Sequence, residues 1–127
     1  DISRLAPLIK LVILLLACST AILVRVFSVI RFESIIHEFD PWFNFRTTQF
    51  LTSTSLAEFW NYFDELSWYP LGRDVGTSVY PGMMITSAFC YSALKSIGFP
   101  IHIREVSVFI GPVFAALTSL TTYALTK

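Results

Sequence analysis

An acidic cluster directly follows the first long apolar segment of the chain. Glu38 and Asp40 lie two positions apart, with His37 before them and Asn44 and Arg46 after them. Carboxylate oxygens are the ligands that hard divalent cations such as Mg²⁺ and Mn²⁺ prefer. A carboxylate beside a membrane is also costly to desolvate, so its presence there indicates a function. We therefore take this cluster as the candidate reactive site.

Residue spacing leaves two interpretations of Asp40 open. Glu33, His37 and Asp40 are spaced i, i+4, i+7, so they share one face if the first helix continues past the apolar segment. Pro41 disfavours helical geometry at Asp40, so that helix would end there and its negative dipole end would favour a bound cation. Asp40 is equally suited to be the N-cap of a second helix, with Pro41 at the first helical position. One carboxylate does not complete a metal site.

The basic side chains near the cluster also have two interpretations. Arg46 either pairs with Glu38 or Asp40, or contacts a phosphate. Arg73 and the adjacent Asp74 either form a local ion pair or contact a substrate. From residue types alone, an ordinary salt bridge is favoured for both arginines.

Composition indicates a membrane protein. Of the 127 residues, 54% are hydrophobic and 14% are charged, whereas soluble domains carry roughly a quarter charged residues. The formal net charge of zero argues against a nucleic-acid partner, because phosphate binding requires a basic excess. Cys18 and Cys90 lack the spacing of a zinc or redox motif.

Hydropathy divides the chain into two spanning segments and a loop. Residues 5–31 and 104–126 are each long enough to cross a bilayer, for which about 20 apolar residues suffice. Residues 1–4 form an N-terminal flank and residues 32–103 a long loop. The run 83–97 is short for a span and predicts a buried or interfacial helix. The predicted fold is an all-α membrane protein with two transmembrane helices joined by a loop that carries short interfacial helices.

Local signals place further elements in the loop. Residues 41–52 predict a short helix, and residues 55–63 predict another. Ser55 is the expected N-cap of the second helix, with Glu58 at the capping-box position. Residues 68–76 are rich in turn formers and predict an ordered loop.

Several stretches together carry a family resemblance. Residues 31–48, RFESIIHEFDPWFNFRTT, resemble the first acidic motif of the catalytic subunit of the eukaryotic oligosaccharyltransferase. Matching stretches follow in order: WYPLGR at 68–73, YPGMMITSA at 80–88, IREV at 103–106, and Pro112. Each piece alone is weak, but their joint occurrence is specific.

The resemblance implies a reaction and a set of site residues. Enzymes of this family transfer a preassembled oligosaccharide from dolichyl pyrophosphate to the Asn amide of Asn-X-Ser/Thr in nascent polypeptides. By resemblance, Asp40 binds a divalent metal, Mn²⁺ or Mg²⁺, and contacts the acceptor amide. Glu38 is the other acidic residue of the motif, and His37, Asn44 and Arg46 are candidates for supporting roles.

The resemblance also implies a location and an architecture. It predicts a multi-pass protein of the endoplasmic reticulum membrane with the C-type architecture of polyprenyl-phosphate glycosyltransferases, working with other oligosaccharyltransferase subunits. Residues 32–103, including the active site, would be lumenal, and 83–97 would not span. Other family motifs lie beyond Lys127, so this fragment alone is expected to be inactive. The alternatives are another polyprenyl-phosphate-dependent glycosyltransferase, or a non-catalytic scaffold or transporter subunit.

Overall fold

Six helices and one short two-stranded ladder make up the described chain. The computed structural model describes residues 2–127, with side chains described from Leu5 onward. The elements are α1 (Ile2–Phe32), α2 (Phe39–Ser53), α3 (Leu56–Phe59), β1 (Phe63–Asp64), β2 (Arg73–Asp74), α4 (Val75–Ser78), α5 (Gly82–Ser96) and α6 (Ile103–Thr126). Two of the described helices are long and apolar enough to cross a membrane, Leu5–Phe32 within α1 and Ile103–Thr126. The predicted helical class with two candidate transmembrane helices is confirmed.

The chain divides into two compact units, of which the first contains α1 and most of α6. This helix-pair unit comprises the chain up to Ile35 together with Val108–Lys127. The thiol of Cys18 lies 3.8 Å from the carbonyl oxygen of Ala116. Small side chains at such a contact let two helices approach closely, as in membrane helix packing.

The second unit, Ile36–Ser107, holds the core that positions the acidic cluster. In this loop unit α2 packs against α5, and the buried core residues are Leu51, Phe59, Val75 and Met84. At 15 residues, α5 is about 22 Å long, short of the ~30 Å apolar core of a bilayer. The predicted helix at 83–97 is thus present, with Met84 and Ser87 as its buried residues.

Buried hydroxyl groups in this core are satisfied within their own helices. Thr47 donates to the carbonyl of Phe43 at 2.8 Å and Thr48 to that of Asn44 at 2.7 Å. On α5, Ser87 donates to the carbonyl of Met83 at 2.9 Å. Because each hydroxyl bonds a carbonyl one turn earlier, these small residues allow close packing without an unsatisfied polar group.

The segment from α3 to α5 is ordered by the short ladder and by the N-caps of α3 and α4. β1 and β2 are antiparallel, with Phe63 opposite Asp74. Ser55 accepts a hydrogen bond from the Glu58 N–H at 3.2 Å, which confirms it as the α3 N-cap. That helix ends at Phe59, earlier than the predicted 63, because the chain turns there to enter β1.

The turn between the strands requires a glycine. Gly72 has a φ of 72°, and a Cβ there would lie 2.5 Å from the Phe63 ring. The same turn contains a cis peptide bond between Tyr69 and Pro70, and Trp68 has a φ of 55°. This ordered turn places Trp68 and the following Arg73 in the loop unit.

Candidate functional site

The acidic cluster lies at the beginning of α2 and not at the end of α1. Helix α1 ends at Phe32, and Glu33 takes a positive φ of 59°. The first helix does not continue past the apolar segment, so Glu33, His37 and Asp40 do not share one helical face. The left-handed backbone at Glu33 ends the helix well before Pro41.

The predicted cap of α2 is also wrong by two positions. Glu38 is the N-cap, with φ 68° and ψ 166°, and its side chain makes no capping hydrogen bond within the described chain. Asp40 lies in the first turn of the helix. The nearby dipole end is therefore positive, which favours the carboxylate charge itself and does not add to the attraction of a cation.

Both carboxylates open onto one cleft in the loop unit. The cleft has a volume of about 770 Å³. Charged, aromatic and neutral polar side chains and one leucine line it: Glu38, Phe39, Asp40, Trp42, Phe43, Phe45, Arg46, Gln49, Leu66, Ser67, Trp68 and Arg73. Of the five residues expected at the site, Glu38, Asp40 and Arg46 line this cleft. His37 and Asn44 are not among its lining residues; His37 is exposed and Asn44 is half-buried.

Arg46 is neutralised by a partner that the sequence did not indicate. Its guanidinium pairs with the Asp64 carboxylate and also donates to the Ser67 hydroxyl at 3.1 Å. The Asp64 side chain is only 4% exposed, and it also accepts a hydrogen bond from the Leu66 N–H at 3.1 Å. The expected surface pairing of Arg46 with Glu38 or Asp40 is wrong, because the arginine reaches a buried carboxylate on β1.

Arg73 does not pair with Asp74. Asp74 instead caps α4, accepting from the Thr77 hydroxyl at 2.7 Å and the Thr77 N–H at 3.4 Å. The Nε of Arg73 donates to the Ser78 hydroxyl at 3.2 Å. Its ζ-carbon lies 5.2 Å from the ring centre of Phe43 and 5.1 Å from that of Trp68. Successive side chains of a strand point to opposite sides, which separates Arg73 from its neighbour.

The carboxylate oxygens in the cleft are of the chemical type that binds a hard divalent cation, but they are too few to fill its coordination sphere. Asp40 and Glu38 provide carboxylate oxygens in the cleft. Within residues 2–127 no three His, Cys, Asp or Glu residues come together as a metal-binding group. Since Mg²⁺ takes about six ligands, Asp40 can supply one part of such a site and water, substrate or other protein segments the remainder.

Sequence reasoning missed the aromatic support of Arg73 and the partner of Arg46. The run WYPLGR at 68–73, which contributed to the resemblance, was the available signal for Arg73 and Trp68. No comparable signal marked Asp64, because it lies 18 positions from Arg46 in the sequence.

Comparison with known proteins gives one consistent family. Residues 8–127 match a family model described as "Oligosaccharyl transferase STT3, N-terminal". The chain is 52% identical over 120 residues to the dolichyl-diphosphooligosaccharide–protein glycosyltransferase subunit stt-3 of Caenorhabditis elegans, covering 94% of this chain and 16% of that protein. It is 50% identical over 127 residues to subunit STT3 of Saccharomyces cerevisiae, covering 99% of this chain and 18% of that protein.

A plant relative shows the same extent of similarity. The STT3B subunit of Arabidopsis thaliana is 52% identical over 120 residues, covering 94% of this chain and 16% of that protein. The chain therefore spans less than a fifth of the length of these relatives.

Proposed function

Because the chain belongs to the STT3 family of oligosaccharyl transferases, we propose that it contributes to an enzyme that glycosylates proteins. The reaction transfers a preassembled oligosaccharide from dolichyl diphosphate to the side-chain amide of Asn in Asn-X-Ser/Thr. The observation that supports this most is the cleft that carries both Glu38 and Asp40. The other parts of the active site belong to the remaining length of the relatives.

Asp40 is the proposed acceptor-binding residue. A carboxamide nitrogen is a poor nucleophile, because its lone pair is delocalised into the carbonyl group. A carboxylate that accepts its N–H bonds can polarise or twist the amide in the transition state. Asp40 is exposed, lines the cleft, and accepts no hydrogen bond from any described residue, so its oxygens are free for this contact. Glu38 is the second acidic residue of the same site.

A divalent cation, Mn²⁺ or Mg²⁺, is proposed as the cofactor, with Asp40 as one of its ligands. When bound, the cation supplies positive charge that stabilises the departing diphosphate. The roles of the chain itself are to hold the Asp40 carboxylate at the start of α2 and to keep Arg46 occupied by Asp64. That pairing leaves the acidic oxygens available in the cleft.

The proposed setting is the endoplasmic reticulum membrane, with the loop unit on the lumenal side. The two apolar helices support a membrane location. The names of the relatives as glycosyltransferase subunits support assembly with further oligosaccharyltransferase subunits. The substrates are a dolichyl-diphosphate-linked oligosaccharide and a polypeptide that carries the acceptor sequence.

The test replaces Asp40 in the full-length protein within its complex. Asp40→Asn keeps the side-chain size and removes the charge, and we expect it to lower glycosylation of a reporter polypeptide by about 100-fold or more. Glu65→Gln is the matched control, because Glu65 is exposed and outside the cleft. Normal glycosylation by Asp40→Asn, at normal protein level, would contradict the proposal and support a non-catalytic scaffold.

A further inference from the structure

Among the side chains that the structure describes, the cleft contains one cation that no carboxylate neutralises. The guanidinium of Arg46 is paired with the Asp64 carboxylate. The side chains of Glu38 and Asp40 accept no hydrogen bond and form no ion pair within residues 5–127. Across this same part of the chain, Arg73 also has no carboxylate within ion-pairing distance. The cleft therefore presents an acidic region from α2 and a separate basic group from β2.

Arg73 is held in place by groups that leave its charge available. Its Nε donates a hydrogen bond to the Ser78 hydroxyl at 3.2 Å, and the ζ-carbon lies 5.2 Å from the ring centre of Phe43 and 5.1 Å from that of Trp68, within the range of a cation–π contact. Its two terminal nitrogens donate no hydrogen bond to any residue that the structure describes. A guanidinium fixed in this way keeps a planar pair of donors ready for an oxyanion.

We propose that Arg73 binds a phosphate group of the lipid-linked diphosphate donor. This inference rests on the proposed function, since it assigns a further residue to the same site. Of the two substrates, the acceptor amide is neutral and can donate its N–H groups to the carboxylates. The diphosphate is anionic and is bound by a cation. Arg73 would contact phosphate oxygens that already carry negative charge in the bound donor, so its loss should weaken donor binding.

A phosphate oxygen could also come from the headgroup of an anionic phospholipid. Both ligands offer the same oxygens to a guanidinium, so chemistry alone does not separate them. The position of Arg73 in the cleft that contains Asp40 favours the donor. The experiment therefore varies the phospholipid as well as the arginine.

The experiment measures steady-state kinetics with the full-length protein in its purified complex. The variants are Arg73→Gln, which removes the positive charge, and Arg73→Lys, which retains the charge but lacks the planar pair of guanidinium donors. Arg104→Gln is the matched control, because Arg104 is exposed and does not line the cleft. We expect Arg73→Gln to raise the KM for the dolichyl-linked donor 10-fold to 100-fold, with a smaller rise for Arg73→Lys. The KM for an acceptor peptide should remain unchanged.

A second measurement covers the case in which Arg73→Gln does not accumulate. Ser78→Ala removes the Nε anchor and leaves the charge, and we expect a several-fold rise in donor KM with no change for the peptide. Inorganic pyrophosphate should inhibit the Arg73→Lys enzyme more weakly than the unaltered enzyme.

Three outcomes would overturn the inference. They are an unchanged donor KM in the arginine variants, a rise in the KM for the peptide instead, or a donor effect that appears only in nanodiscs containing anionic phospholipid. Asp40→Asn separates this inference from the proposed function. If Arg73 has no role in donor binding, Asp40→Asn remains inactive, whereas failure of the proposed function leaves Asp40→Asn active.

Discussion

Two arginines of one cleft, Arg46 and Arg73, differ in what neutralises their charge. Arg46 bonds to Asp64 and Ser67, so its charge serves to satisfy a buried carboxylate. Arg73 is supported by Ser78 and by two aromatic rings, none of which cancels its charge. The first arginine should therefore matter mainly for stability, and the second mainly for ligand binding.

Replacing Arg46 should destabilise the loop unit. Arg46→Met keeps the length of the side chain but leaves Asp64, whose side chain is 4% exposed, as a buried carboxylate without its cationic partner. Such a loss costs about 2–3 kcal/mol, allowing for the partial exposure of the arginine. Thermal unfolding of the full-length complex would measure it, with Arg104→Met as the control.

A double variant separates the pairing from general damage. In Arg46→Met combined with Asp64→Leu, no charge remains buried, so part of the lost stability should return. An Arg46→Met protein as stable as the Arg104→Met control would show that the pair contributes nothing measurable.

Among the helices, the contact between α2 and α5 supports the cleft. Met84 of α5 is 1% exposed and belongs to the core with Leu51 of α2 and Phe59 of α3. The adjacent Met83 is 42% exposed. Of these two neighbouring methionines, only Met84 is buried in the core of the loop unit.

Met84→Ala should lower the free energy of unfolding by about 2–5 kcal/mol, because it opens a cavity in this core. Met83→Ala is the matched control, and its effect should be under about 1 kcal/mol because it deletes little buried surface. The measurement is the unfolding temperature of both variants, together with protease resistance of the segment 36–107. Equal effects of the two substitutions would mean that α5 does not pack on α2 through Met84.

The helices of the loop unit were predictable because each has local boundary signals. Pro81 precedes α5 and Gly98 follows it, and Ser55 with Glu58 marks the start of α3. These signals depend on neighbouring residues, so they survive without knowledge of the tertiary structure.

The end of α1 and the ladder were not predictable in this way. Glu33 and Glu38 adopt positive φ values of 59° and 68°, which are uncommon for residues other than glycine and have no signal in residue type. Pro41 was then the nearest sign of a helix end, and this misplaced the dipole relative to Asp40. The two-residue strands β1 and β2 are too short for a period-2 pattern, so Asp64, the partner of Arg46, could not be inferred.

For the molecule as a whole, the apolar surface of the helix-pair unit requires apolar surroundings. The most apolar stretch of α1 contains no buried residue, and Leu16, Val24 and Ile30, which share one broad face at helical spacing, are more than 60% exposed. An apolar face of this width is stable only when lipid or other helices cover it. Arg25 lies near the end of α1, where its long side chain can reach the headgroup region.

The proposed lumenal position of the loop unit can be tested by inserted glycosylation sites. Because α6 is a candidate span, the segment before Ile103 and the segment after Thr126 should lie on opposite sides of the membrane. Gly98 is a suitable insertion point, since its Cβ position has no atom within 4 Å. A flexible Asn-Gly-Thr insert after Gly98 should therefore be glycosylated in the full-length protein, and the same insert after Lys127 should not.

Glycosylation of each insert is measured by gel mobility before and after glycosidase treatment, and Gln-Gly-Thr inserts provide the control. Modification only of the insert after Lys127 would place the Asp40 cleft on the cytosolic side and exclude the proposed lumenal reaction.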